Sequence, residues 1–183
     1  MISSRPAVTS VPSGPSLYGV DIHLPQGQRE DRGLGLVVAI GESPPKLAGP
    51  ADDPIGWETV SGHRLASLAG ISSDQYQRRF DRMHLFREPQ ETWRFKVARK
   101  EAAQLIPGLT GRCVLLLGSR LAGAFGFSSD HAIFVTRRWN SVWYCIPHPS
   151  SLNRWYQERE NTEAASKLLS DLVGDARILR LRR

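Results

Sequence analysis

Short apolar runs, each stopped by a glycine or a proline, recur along the chain. Three of them have this form: 34–40 followed by Gly41, 113–117 followed by Gly118, and 142–146 followed by Pro147. Runs of this length are too short for typical helices and carry few polar positions. They predict strands that are buried on both faces of a parallel sheet.

Helical periodicity fills the stretches between these runs. Helices are predicted at 63–69, 73–80, 91–106, 119–125 and 161–173, and weaker strands at 82–86 and 132–135. The third helix is expected to end at Pro107. Helices that alternate with strands predict an α/β fold, a three-layer sandwich in which helices flank a central, mostly parallel sheet of four to five strands.

The first part of the chain differs in composition from the rest. Residues 1–33 are rich in serine, proline, glycine and charge and show no sustained period, so we expect a flexible N-terminal extension. Residues 34–183 are expected to form a single α/β domain, since their number suits one hydrophobic core. Within that domain, the proline- and glycine-rich stretch 41–57 predicts a long loop of the kind that wraps a ligand.

Two predicted loops directly follow strands, where open α/β sheets bind their ligands. Their sequences are GESPP at 41–45 and PHPSSLN at 147–153. The prolines on both sides of His148 restrict the backbone, so the imidazole is presented rigidly. A stiff connector without any function explains the Pro-His-Pro tripeptide alone at least as well.

Taken together, the two loops resemble the signature motifs of the uracil-DNA glycosylase superfamily. The stretch VAIGESPP at 38–45 is similar to the first motif, and IPHPSSLNR at 146–154 is similar to the second. The resemblance runs in order from about residue 34 to residue 172. It implies that superfamily's fold and an enzyme that flips a pyrimidine out of DNA and hydrolyses its bond to the sugar, leaving an abasic site.

The resemblance also implies catalytic roles for two residues. His148 matches the donor that stabilises negative charge on the departing base at its O2 atom, and Glu42 matches a residue that orients the attacking water. The better-characterised members have glycine where Pro45 stands, or asparagine or aspartate a few residues later. Other water-positioning residues therefore stay open, namely Asp52, Asp53 and Glu58.

Substrate binding is implied for Gly41, Ser43, His84 and Phe86. His84 stands where the superfamily has an asparagine that reads the pyrimidine edge. A neutral imidazole has one donor and one acceptor on opposite sides of its ring, so strict uracil specificity is not expected. A partly buried structural role explains His84 equally well. Phe86, or else Trp57, is expected to stack on the base.

Contact with the opened DNA is implied for the loop that follows His148. The residues concerned are Ser150, Leu152, Asn153 and Arg154. Leu152 is expected to fill the gap left by the extruded base, and Arg154 to contact a phosphate. Trp155 and Tyr156 either extend this surface or anchor the last helix to the core.

Composition adds a partner and a compartment to this picture. A formal net charge of +6 over 183 residues suits DNA as the partner, although Arg180, Arg182 and Arg183 supply part of that charge. Cys113 and Cys145 lie in apolar runs, as buried thiols do, so a cytoplasmic location is expected. Because there are only two cysteines, no iron–sulfur cluster is expected, and no other cofactor or metal is predicted. No membrane segment is predicted, and a monomer is the default.

Two other functions stay open on the same residues. One is a domain that binds nucleic acid without cleaving it, since Pro45 and His84 replace residues that the better-known members use. The other is an enzyme that acts on a hypermodified pyrimidine, for which the long loop is the only support. Turnover of uracil DNA that depends on His148 distinguishes the glycosylase from both.

Overall fold

The computed structural model describes residues 37–43, 55–56, 58–128 and 131–181. The expected N-terminal extension at 1–33 lies outside these ranges, as does most of the long loop, including Trp57, Asp52 and Asp53. Within the described ranges, no helix is long and apolar enough to span a membrane.

Five strands form one mixed sheet. They are β1 (Val37–Gly41), β2 (Phe80–His84), β3 (Cys113–Leu117), β4 (Phe134–Arg138) and β5 (Ser141–Ile146). The strand order is β2-β1-β3-β5-β4, and all neighbours are parallel except β4, which runs antiparallel to β5. The prediction of an α/β fold with a mostly parallel sheet is confirmed.

In the described ranges, five α-helices connect and cover the strands. They are α1 (Val60–Ala69), α2 (Ser73–Arg79), α3 (Phe95–Leu109), α4 (Ser119–Ala124) and α5 (Arg159–Leu181), and a 3₁₀ turn at Arg154–Gln157 precedes α5. Every residue of β1, β3 and β5 is buried, which requires both faces of the central sheet to be covered. This arrangement is consistent with the predicted three-layer sandwich.

The strand order reverses at β1. From β1 the chain passes to β2 on one side, and β3 then pairs with β1 on the other side. Ligands in open α/β sheets bind outside the carboxyl ends of the strands where the order reverses in this way. The carboxyl ends of β1 and β3 are therefore where a site is expected.

Several predicted boundaries are wrong. The strand predicted at 82–86 begins instead at Phe80, because α2 ends at Arg79 and the chain pairs with β1 at once. The helix predicted at 91–106 begins at Phe95 and continues through Pro107 to Leu109. A proline in the last turn removes a single helix hydrogen bond, and burial of Leu109, which is 3% exposed, holds the final residues.

The β4–β5 hairpin is a feature that the sequence pattern did not predict. The strand predicted at 132–135 is Phe134–Arg138, and only Trp139 and Asn140 separate it from β5. Both have positive φ, 50° and 57°, as tight two-residue hairpins favour. The centroids of the Trp139 and Trp143 rings are 5.4 Å apart. The Arg138 guanidinium lies 4.3 Å from the centroid of the Trp139 ring. Tertiary packing thus holds a tryptophan in a conformation that its own preference disfavours.

Candidate functional site

Three strand ends meet at the carboxyl edge of the sheet. β1 ends at Gly41, Gly118 follows β3, and Pro147 follows β5. The amide of Gly118 donates to the carbonyl of Ile146 at 2.8 Å, so β3 and β5 stay joined to their last residues. The two loops predicted to carry the chemistry therefore leave the same edge of the sheet from β1 and β5, the two strands that flank β3.

Gly118 is the point at which Glu42 and His148 come together. A Cβ atom on Gly118 would lie 3.8 Å from Oε1 of Glu42 and 3.8 Å from Cβ of His148. The backbone of Gly118 has φ 115° and ψ 150°, a conformation that only glycine adopts readily. A glycine is needed here for the backbone, and both side chains approach its bare Cα.

The carboxylate of Glu42 is largely withdrawn from water. Its side chain is 30% exposed, and burial raises the pKa of Glu42 above its ordinary value. Nη1 of Arg120 lies 3.9 Å from Oε2 of Glu42 and opposes that rise in the pKa. A carboxylate with a raised pKa is a better proton acceptor than a free one.

The imidazole of His148 is also withdrawn from water, with the opposite result. Burial lowers the pKa of His148, so its ring is held in the neutral form. Among the residues that the structure describes, none forms a hydrogen bond with this imidazole. A neutral histidine keeps one N–H donor and one free acceptor, and both are available to a ligand.

His84 lies at the same edge, beside Gly41. The two residues are register partners at the ends of β2 and β1. A Cβ on Gly41 would lie 2.7 Å from Cδ2 of His84 and 3.2 Å from its Nε2, so the ring occupies the space that a side chain at 41 would fill. The β1–β2 ladder continues beyond the strands through Phe86, whose amide donates to the carbonyl of Glu42 at 3.1 Å.

The remaining predicted base contacts have different surroundings. Phe86 is 6% exposed and meets Trp93 edge-on at 5.9 Å, so its ring belongs to the core. Stacking of Phe86 on a base would need that packing to open. Ser43 is half-buried and directly follows Glu42.

The loop after His148 combines exposed residues with internal hydrogen bonds. Leu152 is 89% exposed, and Arg154 is exposed as well. Asn153, predicted to contact DNA, uses its amide within the loop: Nδ2 donates to the carbonyl of His148 at 2.8 Å, and Oδ1 accepts from the amide of Trp155 at 3.1 Å. The carbonyl of Ser150 accepts from Nη1 of Arg64 at 2.6 Å.

Trp155 and Tyr156 pack against the core, as the anchoring alternative predicted. Their carbonyls accept hydrogen bonds from the side chains of Asn161 and Thr162 in α5, at 2.9 and 3.0 Å. The segment is therefore joined to the last helix. This contact does not test whether the Trp155 ring also reaches DNA.

Two residues of the site were not predicted from the sequence, namely Arg64 and Arg120. Arg64 and Ser150 lie 86 positions apart in the sequence. In the sequence pattern, Arg64 is an ordinary polar position of α1. Arg120 follows the glycine that ends β3, which places it beside Glu42 only once the strand order is known. No local pattern distinguishes either arginine from a surface residue.

Neither a protein-family model nor a curated protein matches the chain. In the part of the chain that the structure describes, no three His, Cys, Asp or Glu side chains cluster as metal ligands would.

Proposed function

We propose that the chain is a DNA glycosylase of the uracil-DNA glycosylase superfamily, which hydrolyses the N-glycosidic bond of uracil or a related modified pyrimidine in DNA. The observation that carries the proposal is the approach of both Glu42 and His148 to Gly118, with their two motif-bearing loops leaving the strands on either side of β3. The five-stranded α/β sheet is compatible with that superfamily's fold.

His148 supplies a neutral donor for the leaving base. When the bond between the sugar C1′ and the base nitrogen breaks, its electron pair leaves with the pyrimidine and negative charge develops on the base oxygens. A preorganised N–H directed at the base O2 lowers the barrier by about 2.7 to 4 kcal/mol. The lowered pKa of His148 supports this role because the ring stays neutral.

Glu42 supplies the complementary part of the reaction. The oxygen of a water molecule bonds to C1′, and one of its protons passes to the Glu42 carboxylate and then to the released base. The raised pKa of Glu42 favours this uptake. Before that transfer, the carboxylate also offsets the positive charge that develops on the sugar.

The surroundings of this pair support DNA as the substrate. The exposed side chains of Leu152 and Arg154 follow His148 in the same loop, in the positions that a wedge between bases and a phosphate contact require. His84 lies at the neighbouring strand end, where it can hydrogen-bond to the edge of an extruded base. The net charge of +6 favours a polyanion.

The experiment is single-turnover excision from labelled oligonucleotides that contain uracil opposite guanine, opposite adenine or unpaired, followed by alkaline cleavage of the abasic product. We expect excision that falls by about 100-fold in His148→Ala, which corresponds to about 2.7 kcal/mol of barrier. The matched control is His131→Ala, because His131 is an exposed histidine outside the site. Its activity should equal that of the parent.

Two outcomes would overturn the proposal. Salt-sensitive binding to DNA without excision by the parent would favour the non-catalytic binding domain. A mass change in a hypermodified pyrimidine without abasic sites would favour the modified-base enzyme. Equal activity in His148→Ala and the parent would remove His148 from the mechanism, even if uracil is excised.

A further inference from the structure

The backbone on both sides of His148 is held by hydrogen bonds from three side chains that lie outside β5. Pro147 and Pro149 have no amide hydrogen, so this stretch offers few donors of its own. Its carbonyl oxygens are instead the bonded groups. Each of the three bonded carbonyls accepts a side-chain donor: Pro147 from the Tyr156 hydroxyl at 2.7 Å, His148 from Asn153 at 2.8 Å and Ser150 from Arg64 at 2.6 Å.

Two of these donors also contact each other. The guanidinium of Arg64 lies 5.2 Å from the centroid of the Tyr156 ring, within the range of a cation–π contact. Arg64 comes from α1, and Tyr156 from the 3₁₀ turn before α5. The cation–π pair of Arg64 and Tyr156 thus donates to one carbonyl before His148 and to one after it. Both residues are half-buried.

The pair has the properties of a permanent support. Burial raises the pKa of the Tyr156 hydroxyl, so it stays a donor at any physiological pH. The planar fork of Arg64 lets one face stack on a ring while an N–H donates to a carbonyl, which a lysine ammonium does not reproduce. The flanking prolines limit φ on both sides of His148, and the two donors then fix the position of the peptide planes.

We infer that Arg64 and Tyr156 are positioning residues, which hold the His148 backbone so that its imidazole keeps one direction; the inference rests on the proposed function of His148. Neither residue needs to touch the substrate in this role. Catalysis by a single donor depends on its placement, since a misplacement of about 1 Å costs on the order of 100-fold in rate.

The first test uses Tyr156→Phe, which removes only the hydroxyl and keeps the ring that Arg64 stacks on. We expect single-turnover excision to fall roughly tenfold, with unchanged affinity for uracil DNA. In the His148→Ala background the same change should have no further effect, because the hydroxyl acts only through that histidine. An equal loss in both backgrounds would mean a general structural role and would overturn the inference.

Matched variants separate this bond from stability and from charge. Tyr76→Phe removes a hydroxyl that donates to the carbonyl of Ile55 at 2.8 Å, a similar bond elsewhere in the fold, and should leave excision within about twofold of the parent. Arg64→Lys keeps the positive charge but loses the fork, and should slow excision without changing the salt dependence of DNA binding. The exposed Arg78→Lys should change neither quantity.

A readout without activity separates failure of this inference from failure of the proposed function. In protein labelled with ¹³C at histidine, the ring signal of His148 is identified by its loss in His148→Ala. We expect Tyr156→Phe and Arg64→Lys to shift or broaden that signal and to leave the His131 signal in place. If the signal moves although the parent excises no base, the support stands and the glycosylase proposal fails. If the parent excises uracil but signal and rate are unchanged, the inference fails.

Discussion

At the amino edge of the sheet, a buried hydroxyl and a partly exposed ion pair have close partners, whereas at the carboxyl edge two partly buried ionisable side chains have much weaker pairing. Ser141, which is 3% exposed, lies 2.7 Å from the carbonyl of Leu109 and accepts from the amide of Gly111 at 3.0 Å. Close by, Arg112 donates to Asp81 at 3.0 Å. At the other edge, Glu42 reaches Arg120 only at 3.9 Å.

The difference separates groups that stabilise the fold from groups that cost stability. A buried hydroxyl with its partners in place makes a net favourable contribution, while a desolvated carboxylate without a close partner does not. The pKa shifts of Glu42 and His148 both arise chiefly from burial. Ionisable groups held in this state are characteristic of functional sites. Removal of a paired polar group at the amino edge should therefore lower stability, whereas removal of the desolvated charge at the carboxyl edge should raise it.

The largest expected effect is that of Gly118→Ala, which tests whether the backbone conformation at this position requires a glycine. An alanine at φ 115° should cost about 3 kcal/mol of unfolding free energy, and the added methyl would lie against Glu42 and His148. Urea unfolding measures the loss. The control is Gly174→Ala in α5, where no atom lies within 4 Å of the new Cβ and a gain of about 0.5 to 1 kcal/mol is expected. Equal unfolding midpoints for Gly118→Ala and the parent would show that an alanine at this position is not strained.

Next in size is Ser141→Ala, which removes the hydroxyl that joins three backbone groups at the amino edge. The amide of Gly111 loses its partner, while the carbonyl of Leu109 keeps the Arg112 amide at 3.2 Å, so the unfolding free energy should fall by about 2 kcal/mol. Single-turnover activity of the folded protein should not change. Ser67→Ala serves as the control, since Ser67 is exposed on α1. A selective loss of activity would break the division between the two edges.

A smaller effect is expected for Arg112→Met, which leaves the Asp81 carboxylate without its ion-pair partner. The two side chains are 23% and 37% exposed, so solvent screens the pair and a loss of about 1 kcal/mol or less is expected. A double-mutant cycle with Asp81→Asn isolates the pair from other effects of each change. The coupling should weaken as salt is added. A coupling of zero would show that this pair does not contribute to the amino edge.

The buried strands were the most predictable part of the fold. β3 was predicted with its observed bounds and β5 to within one residue, because strands covered on both faces have continuous apolar runs that a glycine or proline ends. β2 was less predictable because most of it is only partly buried and it has polar side chains. Its sequence is Phe-Asp-Arg-Met-His. Its start depends on pairing with β1, which the local pattern does not contain.

For the site, the loops were predictable but their supports were not. Glu42 and His148 were named because their loops follow buried strands and, like His84, match the motifs of the superfamily. The roles of all three stay predictions. Tyr156 was named from the sequence, but its bond to the Pro147 carbonyl was not predicted. Arg64 contacts the loop only after α1 has packed beside it, and a polar position on a helix gives no sign of that. Long-range side-chain contacts of this kind are absent from periodicity and local motifs.

The smallest expected effect is that of Glu42→Gln, and it is a gain of stability. Because the folded-state pKa of Glu42 is raised, the protonated form favours folding below its ordinary pKa, and this stabilisation is lost as the pH rises through the folded-state pKa. Glutamine avoids the desolvated charge, so the variant should melt at a higher temperature than the parent at pH 7, and the gain should fade as the pH falls toward 4.5.

Two further variants make this last comparison specific to the carboxyl edge. Arg120→Met removes the charge that opposes the rise in the Glu42 pKa, so the gain from Glu42→Gln should be larger in that background. Glu88→Gln, at an exposed carboxylate, should give no such gain. The lowered pKa of His148 has the opposite effect: it makes stability fall as the pH drops below the ordinary histidine pKa. This contribution is the same in Glu42→Gln and in the parent, so it cancels in their difference. A lower melting temperature of Glu42→Gln at pH 7 would mean that Glu42 stabilises the fold, and the contrast between the two edges would then fail at its central residue.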